Sequence, residues 1–334
     1  MTDHPSPRVQ TLHDIRSSLD DTMVLLSLHE VGAYGALVAG PATAEEIAQQ
    51  LGLVARRLKP FLELAAHLGI VQHDSGRFWL HDGDAKFFDP SLPHGVGLPS
   101  TTLVKLFEVK GRGAMLLRGS DVEQATAAGG QSSPAQRADF LRYMDSVSRE
   151  AARELAERIP LQEARRIIDL GCGPGTYAYA ALERLGGSRA LLVDRPEAGP
   201  EIARIAAERG LTDRVEFQGL DIRSDELPRG HDVAILSAVV HCYSEETNQR
   251  LVGRIAGALA PGGCLLIRDC ALHADRSGPG EVLRFGVNMA ISTEEGAIYS
   301  AEEVEGWCRA AGLRDIRTEA LEELGENYVV IGRR

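Results

Sequence analysis

The chain has 334 residues, enough for two domains at roughly 150 residues each. Hydrophobic residues make up 44% and charged residues 25%, a globular balance that excludes collagen-like, disordered and disulfide-scaffold classes. Acidic residues (48) outnumber basic ones (36) for a formal charge of −12, which argues against a nucleic-acid partner, because phosphate binding needs a basic footprint.

No apolar run reaches the roughly 18–20 residues of a membrane helix, so no membrane association is expected. The opening MTDHPSPRVQ lacks a basic-then-apolar signal pattern, and a cytoplasmic protein is expected. The 5 cysteines are odd in number, none lies in the first half, and none forms a CxxC pair. Reduced thiols fit this better than a disulfide framework or a zinc site.

In the N-terminal third, VLLSLHEVGAYGAL (24–37) has helical apolar spacing. Thr43 is placed to cap the helix AEEIAQQLG, with Glu45 and Glu46 in its first turn and Gly52 at its end. A second helix, ARRLKPFLELAAHLGI, follows, and VQHDSGRFWLHD predicts a hairpin about Asp74-Ser75-Gly76. Helix, turn, helix and hairpin outline a winged helix. That outline suggests DNA binding, and Arg56, Arg57 and Lys59 lie on its second helix. Residues 1–90, however, carry seven basic residues against twelve acidic ones, which favours a packing and dimerisation module. ATAAGGQSSPAQ (125–136) predicts a loop. ADFLRYMDSVSREAARELAERI (138–159) predicts an amphipathic helix with Phe140, Met144, Val147, Ala151 and Leu155 on one side.

From ARRIIDL (164–170) onward, strand and helix patterns alternate. The strands are ARRIIDL, ALLVD, RVEFQGLD, VAILSAV and CLLIRDC, with helices between them, and LRDIRTEAL with NYVVIGR forms an antiparallel edge. This predicts an α/β fold with a doubly wound sheet, whose ligands bind beyond the carboxyl ends of the strands. The first strand runs into Asp169-Leu170-Gly171-Cys172-Gly173-Pro174-Gly175, where glycines let the backbone turn tightly against a ligand. The second strand ends in Asp194, placed to accept from a ribose diol, and the third in Asp221-Ile222, placed to accept from an adenine amino group. No GK[ST] follows the glycines, so this is not a P-loop.

With these motifs the chain resembles, over nearly its whole length, the S-adenosylmethionine-dependent small-molecule O-methyltransferases of the caffeate and hydroxyindole type. The resemblance implies a Rossmann-like methyltransferase domain over 156–334, a winged-helix dimerisation domain over 1–97 and a helical connector over 98–155 that contributes to the substrate pocket. It implies S-adenosylmethionine as cofactor, S-adenosylhomocysteine as its product, and a homodimer. It assigns Asp169, Gly171, Gly173, Gly175, Asp194, Arg195, Asp221, Ile222 and Ser237 to the cofactor. It assigns Met144 and Ser148 in FLRYMDSVS, and Phe285, Asn288 and Met289 in FGVNMA, to the substrate pocket.

The resemblance also implies a catalytic base. His241 in VVHCYSEE matches the family histidine, with Cys242 and Tyr243 in place of the usual Asp/Asn and Trp, and Asp269 matches the acid that orients it. A second family acid is absent, because its segment reads Gly296-Ala297-Ile298. Physically, a phenol or enol oxygen is a poor nucleophile until its proton leaves, and a histidine with a pKa of about 6.5 takes that proton at neutral pH. His241, Cys242 and Asp269 do not suggest a metal, because FGVNMA supplies no second histidine. The expected activity is O-methylation of a small aromatic or enolic metabolite in bacterial specialised metabolism. The absent acid and the altered HCY segment leave methylation of carbon or nitrogen, or a non-methyltransfer activity, as the enzymatic rivals. A DNA-binding regulator is the rival from another class.

Overall fold

A computed structural model describes residues 7–84, 134–160, 162–321 and 327–334. They belong to two units, residues 1–107 and residues 108–334. Most of the expected connector, residues 98–133, lies outside the described residues, as does most of the expected loop at 125–136.

In the first unit the apolar stretch at 24–37 is not one helix. Helix α1 (Pro7–Glu30) stops, and α2 (Ala33–Leu37) begins after it. Gly32, at φ 78°, adopts the left-handed conformation that ends a helix and that a residue with a Cβ resists. Strand β1 (Ala42–Thr43), α3 (Ala44–Leu51) and α4 (Ala55–His67) follow, then the hairpin of β2 (Gln72–Asp74) and β3 (Arg77–Trp79). The strand order is β1-β3-β2. Thr43 caps α3 as expected: Glu46 N donates to its Oγ1 at 3.2 Å, and Thr43 N donates to Glu46 Oε2 at 2.7 Å. Arg77 ties the hairpin to this cap, donating to Glu46 Oε2 at 3.0 Å and to the Pro41 carbonyl at 2.7 Å. Leu28, Tyr34, Ile47, Leu62 and Phe78 form the buried centre.

Among its described residues the second unit starts with α5 (Pro134–Glu157) and then alternates strand and helix. The elements are β4 (Arg166–Leu170), α6 (Thr176–Arg184), β5 (Arg189–Asp194), α7 (Gly199–Glu208), β6 (Val215–Gly219) and β7 (His231–Ser237). Next come α8 (Glu245–Ala258), β8 (Leu259–Cys270), α9 (Gly280–Ser292), α10 (Ala301–Ala310), β9 (Arg314–Leu321) and β10 (Asn327–Arg333). The seven strands lie in the order β6-β5-β4-β7-β8-β10-β9. The first five are parallel, and β10 is antiparallel to both its neighbours. Of the closing pair, β10 lies inside and β9 outside. Val329, Val330 and Ile331 are fully buried, whereas β9 is mostly exposed. One core packs α5, α6 and α7 on one sheet face; a second packs α8 and α10 on the other.

Candidate active site

Strand β4 lies between β5 and β7, so the strand order reverses there, the point at which a doubly wound sheet forms its ligand crevice beyond the carboxyl ends. The glycine turn starts at this point. Gly171 and Cys172 donate their N–H groups to the Val193 carbonyl at 2.8 and 3.1 Å. Gly171, Gly173 and Gly175 all have positive φ, at 68°, 53° and 89°. A Cβ on Gly171 would lie 2.8 Å from Val239 Cγ2, and one on Gly175 would overlap Leu192 and Tyr179, so both positions exclude other residues. At Gly173 none of the described residues lies within 4 Å of that direction.

Two carboxylates serve the turn. Asp194 Oδ2 accepts from Gly173 N at 2.7 Å, and its Oδ1 accepts from Arg195 N at 2.7 Å. Burial raises the Asp194 pKa despite these bonds. Asp169, 1% exposed, accepts from Ala178 N at 3.1 Å. Burial pushes its pKa up to about 7, and the neighbouring Asp194 charge adds to the shift. Ser237 ends β7 with its hydroxyl buried and unpartnered among the described residues. Ala238 follows at φ 56°, a strained conformation for a non-glycine residue. Ile222 is buried, its Cδ1 3.7 Å from the Cβ direction of Gly171. Asp221 is held by Arg223, whose backbone N and Nε donate to Oδ1 and whose side chain also reaches Oδ2 at 2.8 Å. That bonding lowers the Asp221 pKa. Arg195 is exposed.

The adjacent strand ends hold a second cluster. His241 Nδ1 lies 2.9 and 3.0 Å from the two oxygens of Asp269, which is 3% exposed. Asp269 Oδ1 also accepts from Cys270 N at 2.8 Å. Burial disfavours a charged His241, but the Asp269 charge and bond outweigh it, helped by a hydrogen bond with Cys242, and the His241 pKa rises to about 10. In Asp269, burial is likewise outweighed by His241, and its pKa falls. Each partner thus favours the charged form of the other. Phe285 from α9 meets the His241 ring edge-on, with centroids 4.8 Å apart. Ile298, at the position of the absent family acid, packs with Leu272 and Val282, and Phe285 and Cys270 adjoin them.

Backbone bonds hold the His241 segment in place. Ala297 N donates to the His241 carbonyl at 3.1 Å. Asn248 Nδ2 donates to the Val240 carbonyl at 2.8 Å, and the Tyr299 hydroxyl to the Tyr243 carbonyl at 2.7 Å. Sequence reasoning missed Asn248 and Tyr299, because their partners are backbone groups that leave no residue pattern. It also missed α9 as a helix, although that helix places Phe285, Asn288 and Met289 on neighbouring turns. Asn288 is half-buried and accepts from Ser292 Oγ at 3.4 Å, and Met289 is buried. Met144 and Ser148 lie half-buried one turn apart on α5. Cys172 is buried with its thiol pKa raised by desolvation, in keeping with a packing role.

A doubly wound sheet with a glycine turn where the strand order reverses is the architecture of a nucleotide-cofactor-binding domain. Residues 123–314 match the O-methyltransferase domain family, and the chain belongs to that family. It is an S-adenosylmethionine-dependent O-methyltransferase. It is 29% identical to 3-hydroxy-5-methyl-1-naphthoate 3-O-methyltransferase of Streptomyces sahachiroi, over 96% of this chain and 94% of that one. It is also 29% identical to the tetracenomycin polyketide synthesis 8-O-methyl transferase TcmO of Streptomyces glaucescens, over 93% of this chain and 92% of that one. Human N-acetylserotonin methyltransferase, solved with S-adenosylmethionine, superimposes with a TM-score of 0.83 at 20% identity, covering 100% of this chain and 99% of the other. Among the described residues no helix is long and apolar enough to cross a membrane.

Proposed function

We propose that the chain methylates a hydroxyl of a small aromatic or enolic metabolite, with His241 as general base and Asp269 as the residue that orients it. The observation that carries this reading is the His241–Asp269 pair beside the glycine turn. The cofactor, held by the glycine turn and Asp194, would supply an activated methyl group on a sulfonium cation. Asp269 occupies Nδ1, which makes Nε2 the nitrogen that receives the acceptor proton. In the free protein His241 prefers to be charged. A second cation in the crevice opposes that charge and moves His241 back towards the neutral form a base requires. The Phe285 edge and the Ile298 cluster give the acceptor an apolar wall. The naphthoate and polyketide relatives support an aromatic acceptor of specialised metabolism.

The residues present fit the cofactor. Burial pushes both Asp169 and Asp194 up, outweighing their backbone donors and the Arg195 charge on Asp194, so a cationic ligand would be favoured in this half of the crevice. Among the described residues Gly173 faces open space, and the Ser237 hydroxyl awaits a partner. In this reading Asp194 accepts from the ribose, Asp221 and Ile222 flank the adenine, and the turn carries the methionine portion. Met144, Ser148, Asn288 and Met289 line the acceptor space, and the N-terminal unit pairs two copies of the chain.

The test is turnover of a panel of phenols and naphthols by wild type and His241→Ala, with products assigned by NMR. A methoxy product that His241→Ala fails to form supports the reading. A product methylated on carbon or nitrogen, or undiminished turnover by the folded variant, overturns it.

A further inference from the structure

One buried carboxylate joins the acceptor side of the protein to the glycine turn. Asp145 on α5 is 4% exposed and follows Met144 directly. Its Oδ1 accepts from the Thr176 hydroxyl at 2.8 Å and from Arg209 at 2.7 Å. Its Oδ2 accepts from Arg149, one turn along the same helix, at 2.7 Å. Thr176 is the first residue of α6 and follows Gly175 of the turn. Arg209, just beyond α7, stacks over the Tyr179 ring at 5.1 Å. That ring is the one a Cβ on Gly175 would strike. Asp145 thus bonds directly to the residue that follows the glycine turn, through the Thr176 hydroxyl, while Arg209, packed on Tyr179, fixes the carboxylate from its other side.

This arrangement exceeds what packing α5 requires. Ala151, Ala152 and Leu155 already bury that helix against the core. A charge held in so dry a place persists only when its lone pairs are satisfied, and here three separate elements satisfy them. Burial alone would favour a neutral Asp145, but Arg149, Thr176 and Arg209 outweigh it and keep the carboxylate ionised. Moving the glycine turn therefore moves a hydrogen-bonded partner of α5.

The geometry points to Asp145 as a positioning residue that transmits the state of the glycine turn to the acceptor-lining helix α5, so that filling the cofactor site orders the acceptor site. This rests on the reading of the turn as the cofactor site and of Met144 and Ser148 as pocket residues. Its chemical content is a coupling between two ligands carried by one carboxylate.

The experiment is hydrogen–deuterium exchange of the full chain with and without S-adenosylhomocysteine, read over residues 141–149, with the ligand's Kd measured by calorimetry. Ligand should slow exchange in α5 by about 5-fold or more in wild type and in Thr176→Ser, which keeps the hydroxyl. In Thr176→Val the slowing should vanish while Kd stays within about threefold, the size of one lost hydrogen bond. Asp145→Asn should behave as Thr176→Val does; should it fail to fold, Thr176→Val carries the test. Slowing that persists in Thr176→Val, or a wild type that binds ligand with no change in α5, overturns the proposal alone. A wild type that binds no S-adenosylhomocysteine overturns the cofactor assignment, and the proposal with it.

Discussion

The two halves of the crevice treat their carboxylates in opposite ways. Beyond β4 and β5, Asp169 is buried and Asp194 half-buried, both with backbone donors, and desolvation raises both pKa values, helped at Asp169 by the Asp194 charge and at Asp194 by Glu197. Beyond β7 and β8, Asp269 is as deeply buried yet its pKa falls, because His241 stands 2.9 Å away as a cation. Burial is common to both halves; the difference is whether the protein provides the counter-charge. One half is complete without a ligand. In the other, backbone donors and the exposed Arg195 do not outweigh desolvation.

The largest effect tests the complete half. His241→Ala should lower kcat by about 10²–10⁴ with the fold intact, as loss of a general base does. The loss should shrink with a nitrophenol acceptor, whose proton leaves unaided. Equal losses for both acceptors, measured by product formation, would deny His241 its proton-accepting role.

Stability should follow the pair next. Asp269→Ala strands a buried imidazole beside Phe285 and should cost about 3–5 kcal/mol in denaturant unfolding. His241 has its pKa raised from 6.5 to about 10 by folding, so its contribution is full below 6.5 and lost as pH rises through about 10. Asp269, whose pKa is lowered, contributes above the ordinary carboxylate range and loses that contribution in acid.

The carboxylates of the other half should respond with the sign opposite to that of Asp269. Folding raises the Asp169 pKa from 3.8 to about 7, so its contribution to stability is present below 3.8 and lost as pH rises through about 7. A cation favours the ionised form, so S-adenosylmethionine should bind more tightly as pH rises through about 7. Asp194→Ala should weaken that binding by about 10–100-fold, the worth of hydrogen bonds to a charged group. Calorimetry across pH reads both effects. An affinity independent of pH would remove the contrast between the halves.

The smallest effect concerns support. Tyr299→Phe deletes the bond to the Tyr243 carbonyl and should cost about 0.5–1.5 kcal/mol in unfolding experiments, with kcat reduced only a few fold. A loss as large as that of His241→Ala would mean that Tyr299 does more than hold the segment.

Residues next to strand ends were legible in the sequence. The glycines, Asp194, Asp221 and His241 each lie at or just beyond the end of a strand, and alternation of strands and helices set the sheet. What sequence could not supply depends on chain segments far apart. Asp145 with Arg149 reads as an ordinary solvated pair one helical turn apart, and only the fold brings Thr176 and Arg209 to it. Ala238 resembles any strand residue until its positive φ is seen. The break at Gly32 was concealed because apolar spacing continues across it while the backbone does not. The inner place of β10 follows from pairing on both sides, which an apolar run such as YVVI permits but does not order.

The most direct measurement of the contrast is the titration of the His241 imidazole by nitrogen-15 NMR in the free protein, in Asp269→Asn, and with each form of the cofactor. The expected result is a free-protein pKa well above 6.5, towards about 10, that falls in Asp269→Asn. It should fall further with S-adenosylmethionine, a cation, than with neutral S-adenosylhomocysteine. A wild-type His241 that titrates at or below 6.5 and does not respond to Asp269→Asn would contradict the claim that this half of the crevice carries its own counter-charge.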